Sequence, residues 1–380
     1  MRVLLFGTYD TATHPRVATI AEGLAASGLD VAQCNAPLGL DTAARVSMLA
    51  HPSRVPVLLL RLVRRWTTLA LAARRMPRPD VVLVGYLGHF DVHLARLVFR
   101  RVPVVLDHLV GASDTGRDRR LDGGPRQALL RLIDAAALRA ASVIVVDTDE
   151  HLAALPARHR SRAVVVPVGA PSAWTDAAPS AGSGQAEPGA ARSVPGAGRP
   201  LRVVFYGLYT PLQGTPVIGA ALGKLAGAPV EVTMIGTGQD EAQAKAGAAG
   251  NLSVRWLDWV PAAELPALVA EHDVCLGIFG TGGKALRVVP NKVFQGAAAG
   301  CAIVTSDTPP QRRVLADAAV LVPPGDPEAL AGALLALAAD RGELARLRQR
   351  SRQVARQEFA PSQIVAPLLR RLRPAATAPR

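Results

Sequence analysis

Short aliphatic runs recur along the chain at intervals too wide for hairpins. In the first half these are Val3–Phe6, Val81–Val84, Val102–Leu106, Val143–Val146 and Ala163–Val166. Each is four or five residues of mostly Val, Ile and Leu, the pattern of a strand buried on both faces. Between them the period changes to that of an amphipathic helix, as in Arg16–Ser27 and Arg126–Ala141. Strands alternating with helices predict a parallel sheet with helices on both sides, an α/β fold.

The pattern stops at Ala177–Pro200, where 19 of 24 residues are Ala, Gly, Pro or Ser, the composition of a linker or surface insertion. It then restarts. Leu201–Tyr206, Val230–Ile235, Val254–Trp256, Val274–Ile278 and Ala302–Thr305 are the expected strands. The expected helices are Pro216–Ala226, Ala263–Glu271, Val288–Ala299 and one long Pro327–Ala355. The reading is therefore two doubly wound, Rossmann-like domains, over 1–171 and 201–355. A linker at 172–200 joins them, and a tail over 356–380 packs back on the first domain. The 380-residue length fits two domains at roughly 150 residues each. Ligands of such sheets bind at the carboxyl ends of the strands, so a cleft between the two domains is the default site.

Composition narrows the function classes. With 49% hydrophobic and 19% charged residues the chain is globular rather than disordered. Aromatics at 4% argue against an extended base-stacking platform. Cys34, Cys275 and Cys301 are odd in number and have no metal-ligand spacing, which argues against a disulfide scaffold or a zinc site. The N-terminal apolar run is shorter than a secretory core, and no apolar stretch approaches ~20 residues, so a cytoplasmic protein is expected. The net charge of +13 favours anionic partners: phosphates, nucleic acid or an anionic membrane face. No nucleic-acid-binding pattern is present, which makes nucleic acid the least favoured of the three.

The charge separates into two groups. One is the segment Leu276–Gln295, where a strand runs into a glycine-rich turn followed by Lys284, Arg287 and Lys292. A helix opening near Val289-Pro290-Asn291 would offer free N–H groups, and three cations beside it would suit a diphosphate. A solvated loop entering an ordinary helix is the competing reading. The segment is not a P-loop, because Ile278 stands where the first glycine is needed and Ala285 replaces Ser/Thr. The other group is 42–79, which holds eight Arg and no acid. On a helical wheel Arg61, Arg64, Arg65 and Arg75 fall together, opposite Leu62, Trp66, Leu69 and Ala73. Two readings stand for it: a helix docked on an anionic membrane surface or lipid-linked acceptor, and a helix packed on its own sheet with solvated arginines.

Several segments resemble one family. These are Phe6-Gly-Thr-Tyr-Asp10 with His14-Pro-Arg16, Val84-Gly-Tyr-Leu-Gly-His-Phe-Asp91, and Leu106-Asp107 leading into Ser113-Asp-Thr115 and Asp118-Arg119. In the second half they are Tyr206-Gly-Leu-Tyr-Thr-Pro-Leu-Gln-Gly214, Gly277-Ile-Phe-Gly280 and Pro290-Asn-Lys-Val-Phe294. Over both halves the chain resembles the retaining, nucleotide-sugar-dependent glycosyltransferases of the GT-B fold, in the large sucrose- and mannosyl-transferring group. The resemblance implies a nucleotide-sugar donor on the second domain, a hydroxyl acceptor on the first, and no catalytic metal or other cofactor. With it, His89, Asp107, Lys292 and Arg287 are the catalytic candidates, with His108 beside Asp107; a structural histidine at His89 and a turn or helix cap at Asp107 are the competing readings. Gly7, Gly207, Gln213, Gly236, Gly238, Lys284, Asn291, Val293 and Gln295 would bind the donor.

The chain also departs from the family. Two glutamates seven residues apart are common there; here the positions read Arg287 and Gln295. An Arg and a Lys in the first loop of the second domain are replaced by Leu208 and Gln213. Two rivals follow: a GT-B-shaped sugar-nucleotide-binding protein without turnover, and a sugar-nucleotide epimerase. Asp147-Thr148-Asp149 has the DxD form of a metal–diphosphate motif, but its place before a helical stretch predicts capping by Asp149.

Overall fold

The computed structural model describes residues 1–10, 15–39, 55–109, 111, 124–178 and 198–372, without the side chains of 55, 125 and 126. His14, Ser113, Asp114, Thr115, Asp118, Arg119, positions 42–54 of the arginine block and most of the expected linker lie outside the described residues. The chain divides into two compact units, Met1–Pro167 with Pro361 onward, and Val168–Ala360.

The first unit runs β1 (Arg2–Gly7), α1 (Arg16–Ala26), β2 (Asp30–Asn35), α2 (Val55–Arg74), β3 (Val81–Val84), α3 (Asp91–Val98), β4 (Val104–Asp107), α4 (Gly124–Ala140), β5 (Val143–Val146), α5 (Asp149–Ala154), α6 (Ala157–Arg160) and β6 (Ala163–Val165). Its strands form one parallel sheet in the order β2-β1-β3-β4-β5-β6. Alternation along β1 divides the core. Leu4 and Phe6 pack with Leu69, Val92 and Ala137 of α2, α3 and α4, whereas Val3 and Leu5 pack with Val17 and Ile20 of α1. The strand β2 was not expected. It is an edge strand, Asp-Val-Ala-Gln-Cys-Asn, and only Cys34 is fully buried.

The second unit begins with α7 (Ser172–Asp176), inside the stretch expected to be linker. Its Trp174 is buried and stacks on Tyr206, with ring centroids 5.6 Å apart. There follow β7 (Leu201–Tyr206), α8 (Thr215–Lys224), β8 (Val230–Ile235), α9 (Glu241–Gly247), β9 (Val254–Leu257), α10 (Leu265–Ala270), β10 (Val274–Leu276), α11 (Asn291–Ala298), β11 (Ala302–Ser306), α12 (Pro309–Leu315), β12 (Ala319–Val322), α13 (Pro327–Ala339) and α14 (Arg341–Val354). The sheet order is β12-β11-β10-β7-β8-β9, again all parallel. The single helix expected over Pro327–Ala355 is two helices. Asp340 leaves helical geometry at ψ 91° and accepts the Glu343 N–H at 2.9 Å, and the Asp-x-x-Glu spacing makes a new N-cap. The helix expected from Val288 starts instead at Asn291, because Pro290 is extended at ψ 153° and stands at the cap.

The chain then returns to the first unit as α15 (Pro361–Ile364) and α16 (Ala366–Leu372). Ile364, Val365 and Leu368 complete the core on the α1 side of the first sheet. The approach is close because α1 carries Gly23, where a Cβ would overlap the Pro361 carbonyl. Replacing Gly23 with Ala is expected to cost about 1–3 kcal/mol by overpacking, read as a lower urea midpoint. An unchanged midpoint would show that the segment can shift away freely.

Candidate functional site

In each sheet the strand order reverses beside the first strand, at β1/β3 and at β7/β10. The loops leaving those strands diverge, and a doubly wound sheet takes its ligands there. At β7/β10 the two loops are tied together. The Phe279 N–H donates to the Gln213 carbonyl at 3.0 Å. Gly214, at φ 66°, starts α8, and a Cβ on it would stand 2.5 Å from the Gly280 nitrogen. Only glycine serves at this position, for both its dihedral and its contact.

Lys292, in the first turn of α11, projects into this junction. Its ammonium donates to the Gln213 Oε1 and lies 3.7 Å from the centroid of the Phe205 ring. Gly207 leaves room for it, since a Cβ there would be 3.3 Å from the Lys292 Nζ. The side chain is buried, and burial pulls its pKa down to about 7, with Cys275 a small opposing influence. A buried ammonium held by an amide oxygen and a ring face, at a helix N-terminus, is short of an anion. The structure thus brings together Gly207, Gln213 and Lys292. Arg287 sits apart, on a 3-10 turn over Ala285–Arg287 that begins beside Lys284, and donates to the Gly283 carbonyl at 2.9 Å.

Gln295, one turn along α11, is buried and accepts from the Tyr206 hydroxyl at 3.0 Å. One lone pair of its amide oxygen is therefore spent inside the protein, which reduces what Gln295 can offer a ligand. Asn291 and Val293 lie in the same first turn. Gly236 and Gly238 follow β8 at φ 130° and 156°. A Cβ on Gly236 would overlap the Gly207 carbonyl, and one on Gly238 would stand 2.8 Å from the Tyr209 nitrogen. Their demonstrable task is to let the β8 turn support the β7 loop, with the Tyr209 N–H donating to the Thr237 carbonyl at 2.9 Å.

The first unit gathers its polar groups at the carboxyl ends of β1, β3, β4 and β5. Gly7, at φ 147°, turns the chain so that the Thr8 N–H and hydroxyl both reach Asp91, at 2.7 and 2.8 Å. The Trp66 indole donates to the other Asp91 oxygen at 2.8 Å, so Trp66 anchors α2 to α3. His89 has its Nε2 3.1 Å from an Asp134 oxygen, outside hydrogen-bond alignment, and its ring lies edge-on to His108 at 5.4 Å. Burial, followed by the neighbouring His89, lowers the His108 pKa to about 4, which leaves it neutral at pH 7.

Asp107 corrects an expectation. Its carboxylate is fully buried and engaged by Arg16, whose Nε donates to both oxygens at 2.9 and 3.1 Å. The same guanidinium donates to the carbonyls of Val166 and Pro167 at 2.9 and 3.0 Å. Asp107 thus holds the ends of β4 and β6 together, and a carboxyl with no exposed surface cannot meet a sugar. The DxD reading is also revised. Thr148, rather than Asp149, caps α5 by accepting the His151 N–H at 3.2 Å, and Asp147 pairs with the His151 ring. Among the described residues no three His, Cys, Asp or Glu side chains converge as a metal site.

Asp91, Arg16, Asp134 and Tyr206 were not singled out from sequence. Asp91 and Arg16 stand inside the motif-like segments, but their partners are 83 and 91 positions away, and spacing alone does not reveal them.

Comparison with known proteins bears on both units. Residues 200–340 match the family described as "Glycosyl transferases group 1". A phosphatidyl-myo-inositol mannosyltransferase of Mycolicibacterium smegmatis is 37% identical over 145 residues; the match spans 36% of this chain and 36% of that protein. Among solved structures, a sucrose-phosphate synthase from Thermosynechococcus elongatus superposes with a TM-score of 0.69 at 14% identity, over 98% of both chains. Anabaena HepE in complex with UDP and glucose gives 0.60 at 15% identity, over 98% of this chain and 99% of that one. Residues 200–340 are therefore similar to the glycosyl transferases group 1 family, within a chain whose two doubly wound units have the GT-B fold.

Proposed function

We propose that this protein is a retaining glycosyltransferase that moves a hexose-type sugar from a nucleotide diphosphate to a hydroxyl acceptor without a metal. The observation that carries this reading is Lys292, a buried cation at the β7/β10 switch point whose partners are an amide oxygen and a ring. Glycosyl transfer leaves negative charge on the departing diphosphate, and a pre-oriented cation with helix N–H groups stabilises it as it develops. Gln213 stands where the family carries a lysine, and the Lys292 ammonium reaches that same point from α11. Lys292 itself stands in the family-like segment Pro290–Phe294, so it is the cation left at this point once the loop lysine is absent.

In this reading Gly207 and Gly214 admit the diphosphate, Lys284 and Arg287 add cations on the neighbouring turn, and Gln295 bonds a ribose hydroxyl through its remaining capacity. The acceptor is taken by the first unit, with His89 and neutral His108 as hydrogen-bonding groups. The mannosyl transfer named for the mycobacterial relative and the UDP and glucose bound to HepE support this donor class. Three buried free cysteines fit the proposed cytoplasmic setting.

The test is incubation with a panel of nucleotide sugars and hydroxyl acceptors. Release of nucleoside diphosphate, a product with the donor's anomeric configuration by NMR, and rates unchanged by EDTA are expected. Loss of activity in EDTA, restored by a divalent cation, would overturn the metal-free step. The second reading, binding without turnover, is favoured by the Tyr206–Gln295 bond, and nucleotide binding with no transfer or hydrolysis would establish it.

A further inference from the structure

The helices on one face of the first sheet, α2, α3 and α4, have an unusual outer side. Their inward residues, Leu58, Leu62, Leu69 and Ala73 in α2, are buried as an amphipathic helix requires. The side opposite should then be polar. On α2 it carries Val57, Leu60, Arg61, Arg64 and Leu71, at spacings of three, one, three and seven, which place all five along one outward stripe. Leu60 is 61% and Leu71 54% exposed, and Val63 beside them is 55% exposed. The stripe continues on the neighbouring helices, with Leu97 of α3 and Leu132 of α4 each more than 60% exposed. Arg61, Arg64, Arg65, Arg74, Arg131 and Arg139 stand exposed among them.

No acid offsets these charges on the same helices. α2 has none, and the acids of α3 and α4, Asp91 and Asp134, are buried against Thr8, Trp66 and His89. A soluble helix layer does not ordinarily set leucines at its most outward positions, and a surface that only repels aggregation does not need them. Interleaved aliphatic and arginine side chains have a specific match: headgroup anions for the guanidinium groups and the acyl boundary for the leucines. No helix among the described residues is long and apolar enough to cross a membrane, so any contact of this layer is in the plane of the surface.

We propose that the outer face of α2, α3 and α4 docks on an anionic lipid bilayer, with Leu60, Val63 and Leu71 entering the interface and Arg61, Arg64 and Arg65 on the headgroups. Trp66 has no part in this, because its indole is committed to Asp91. The proposal stands on the first unit alone and does not rest on the donor reading of the second.

The test is sedimentation of the full chain with vesicles of phosphatidylcholine, with and without phosphatidylglycerol, at low and high salt. The parent is expected to sediment with the phosphatidylglycerol vesicles only, and less at high salt. Replacing Arg61, Arg64 and Arg65 together by Gln should lower partitioning by about a hundredfold at low salt. Replacing Leu60 and Leu71 by Gln should lower it by about tenfold and leave the remainder fully salt-sensitive. All five positions are exposed, so both variants should keep the parent's thermal unfolding. The proposal is overturned if the parent does not sediment, if either variant sediments like the parent, or if arginine-dependent binding is found on duplex DNA and not on vesicles.

Discussion

Replacing Lys292 by methionine should cut sugar transfer by about a hundred- to a thousandfold, the scale of losing one group that stabilises developing charge. The same substitution should make the protein more stable near pH 7. Burial holds the folded-state pKa of Lys292 near 7, well below its ordinary 10.5. Between those values the unfolded chain binds the proton and the folded chain does not, so the parent gains stability as pH rises from about 7 to about 10.5. At pH 7 and below it bears the cost of a buried charge. The methionine variant has no such group, so its unfolding free energy should be flat across that window where the parent's climbs.

Donor binding should show the reverse trend. A diphosphate raises the pKa of the lysine it meets, so binding takes up a proton once the free site is neutral. The parent's affinity for a nucleoside diphosphate should fall by up to about tenfold per unit above pH 7. Lys292→Arg, with a guanidinium that stays charged, should weaken binding but remove this slope. Calorimetric titration at pH 6.5, 7.5 and 8.5 reads both effects. A lysine variant with parental kinetics and a flat affinity profile in the parent would take Lys292 out of the site.

The second large effect is expected at Arg16, and it is on stability alone. Arg16→Met leaves the Asp107 carboxyl buried without its partner and strands the carbonyls of Val166 and Pro167. Burial already raises the Asp107 pKa against the influence of Arg16, so without the guanidinium the group must take up a proton or the fold must open. A loss of about 3–5 kcal/mol is expected from urea unfolding. Asp107→Asn should cost less, because an amide oxygen still accepts from Arg16. An Arg16→Met, Asp107→Leu double variant should recover much of the loss, as apolar replacement of a whole buried pair does. Equal losses in all three would show that packing, and not the charge pair, holds this corner.

The contrast between these two residues describes what the sequence could reveal. Central strands such as Val81–Val84 and Val143–Val146 are buried on both faces, so their composition marks them. The edge strand β2 is half-covered and carries mixed residues, so the same criterion does not mark it, whereas β12, Ala-Val-Leu-Val, is aliphatic but runs directly on from the α12 turn without a helical stretch between them to set it apart. Asp340 ended a helix that remained apolar in period on both sides, and a cap acts through one hydrogen bond that periodicity does not register. At the site, Gly207, Gln213 and Lys292 are readable because each sits at a strand end or helix start. Asp107 looks equally like a site residue from its strand-end position, and Arg16 at a helix start gives no sign of being its partner. Only their contact, across 91 positions, shows that they neutralise each other inside the core.

The docking of Pro361–Leu372 on α1 has a consequence for how the protein is made. Synthesis is vectorial, and domains generally fold as they leave the ribosome, the N-terminal one first. Here the sheet of the first unit is complete once Val165 has emerged, yet Ile364, Val365 and Leu368 arrive about 200 residues later, on the order of 10–40 s at ordinary elongation rates. During that interval Ile20 and Leu24 of α1 lack their final neighbours. The nascent first unit is then a ready client for a chaperone until Pro361–Leu372 has emerged and closed it.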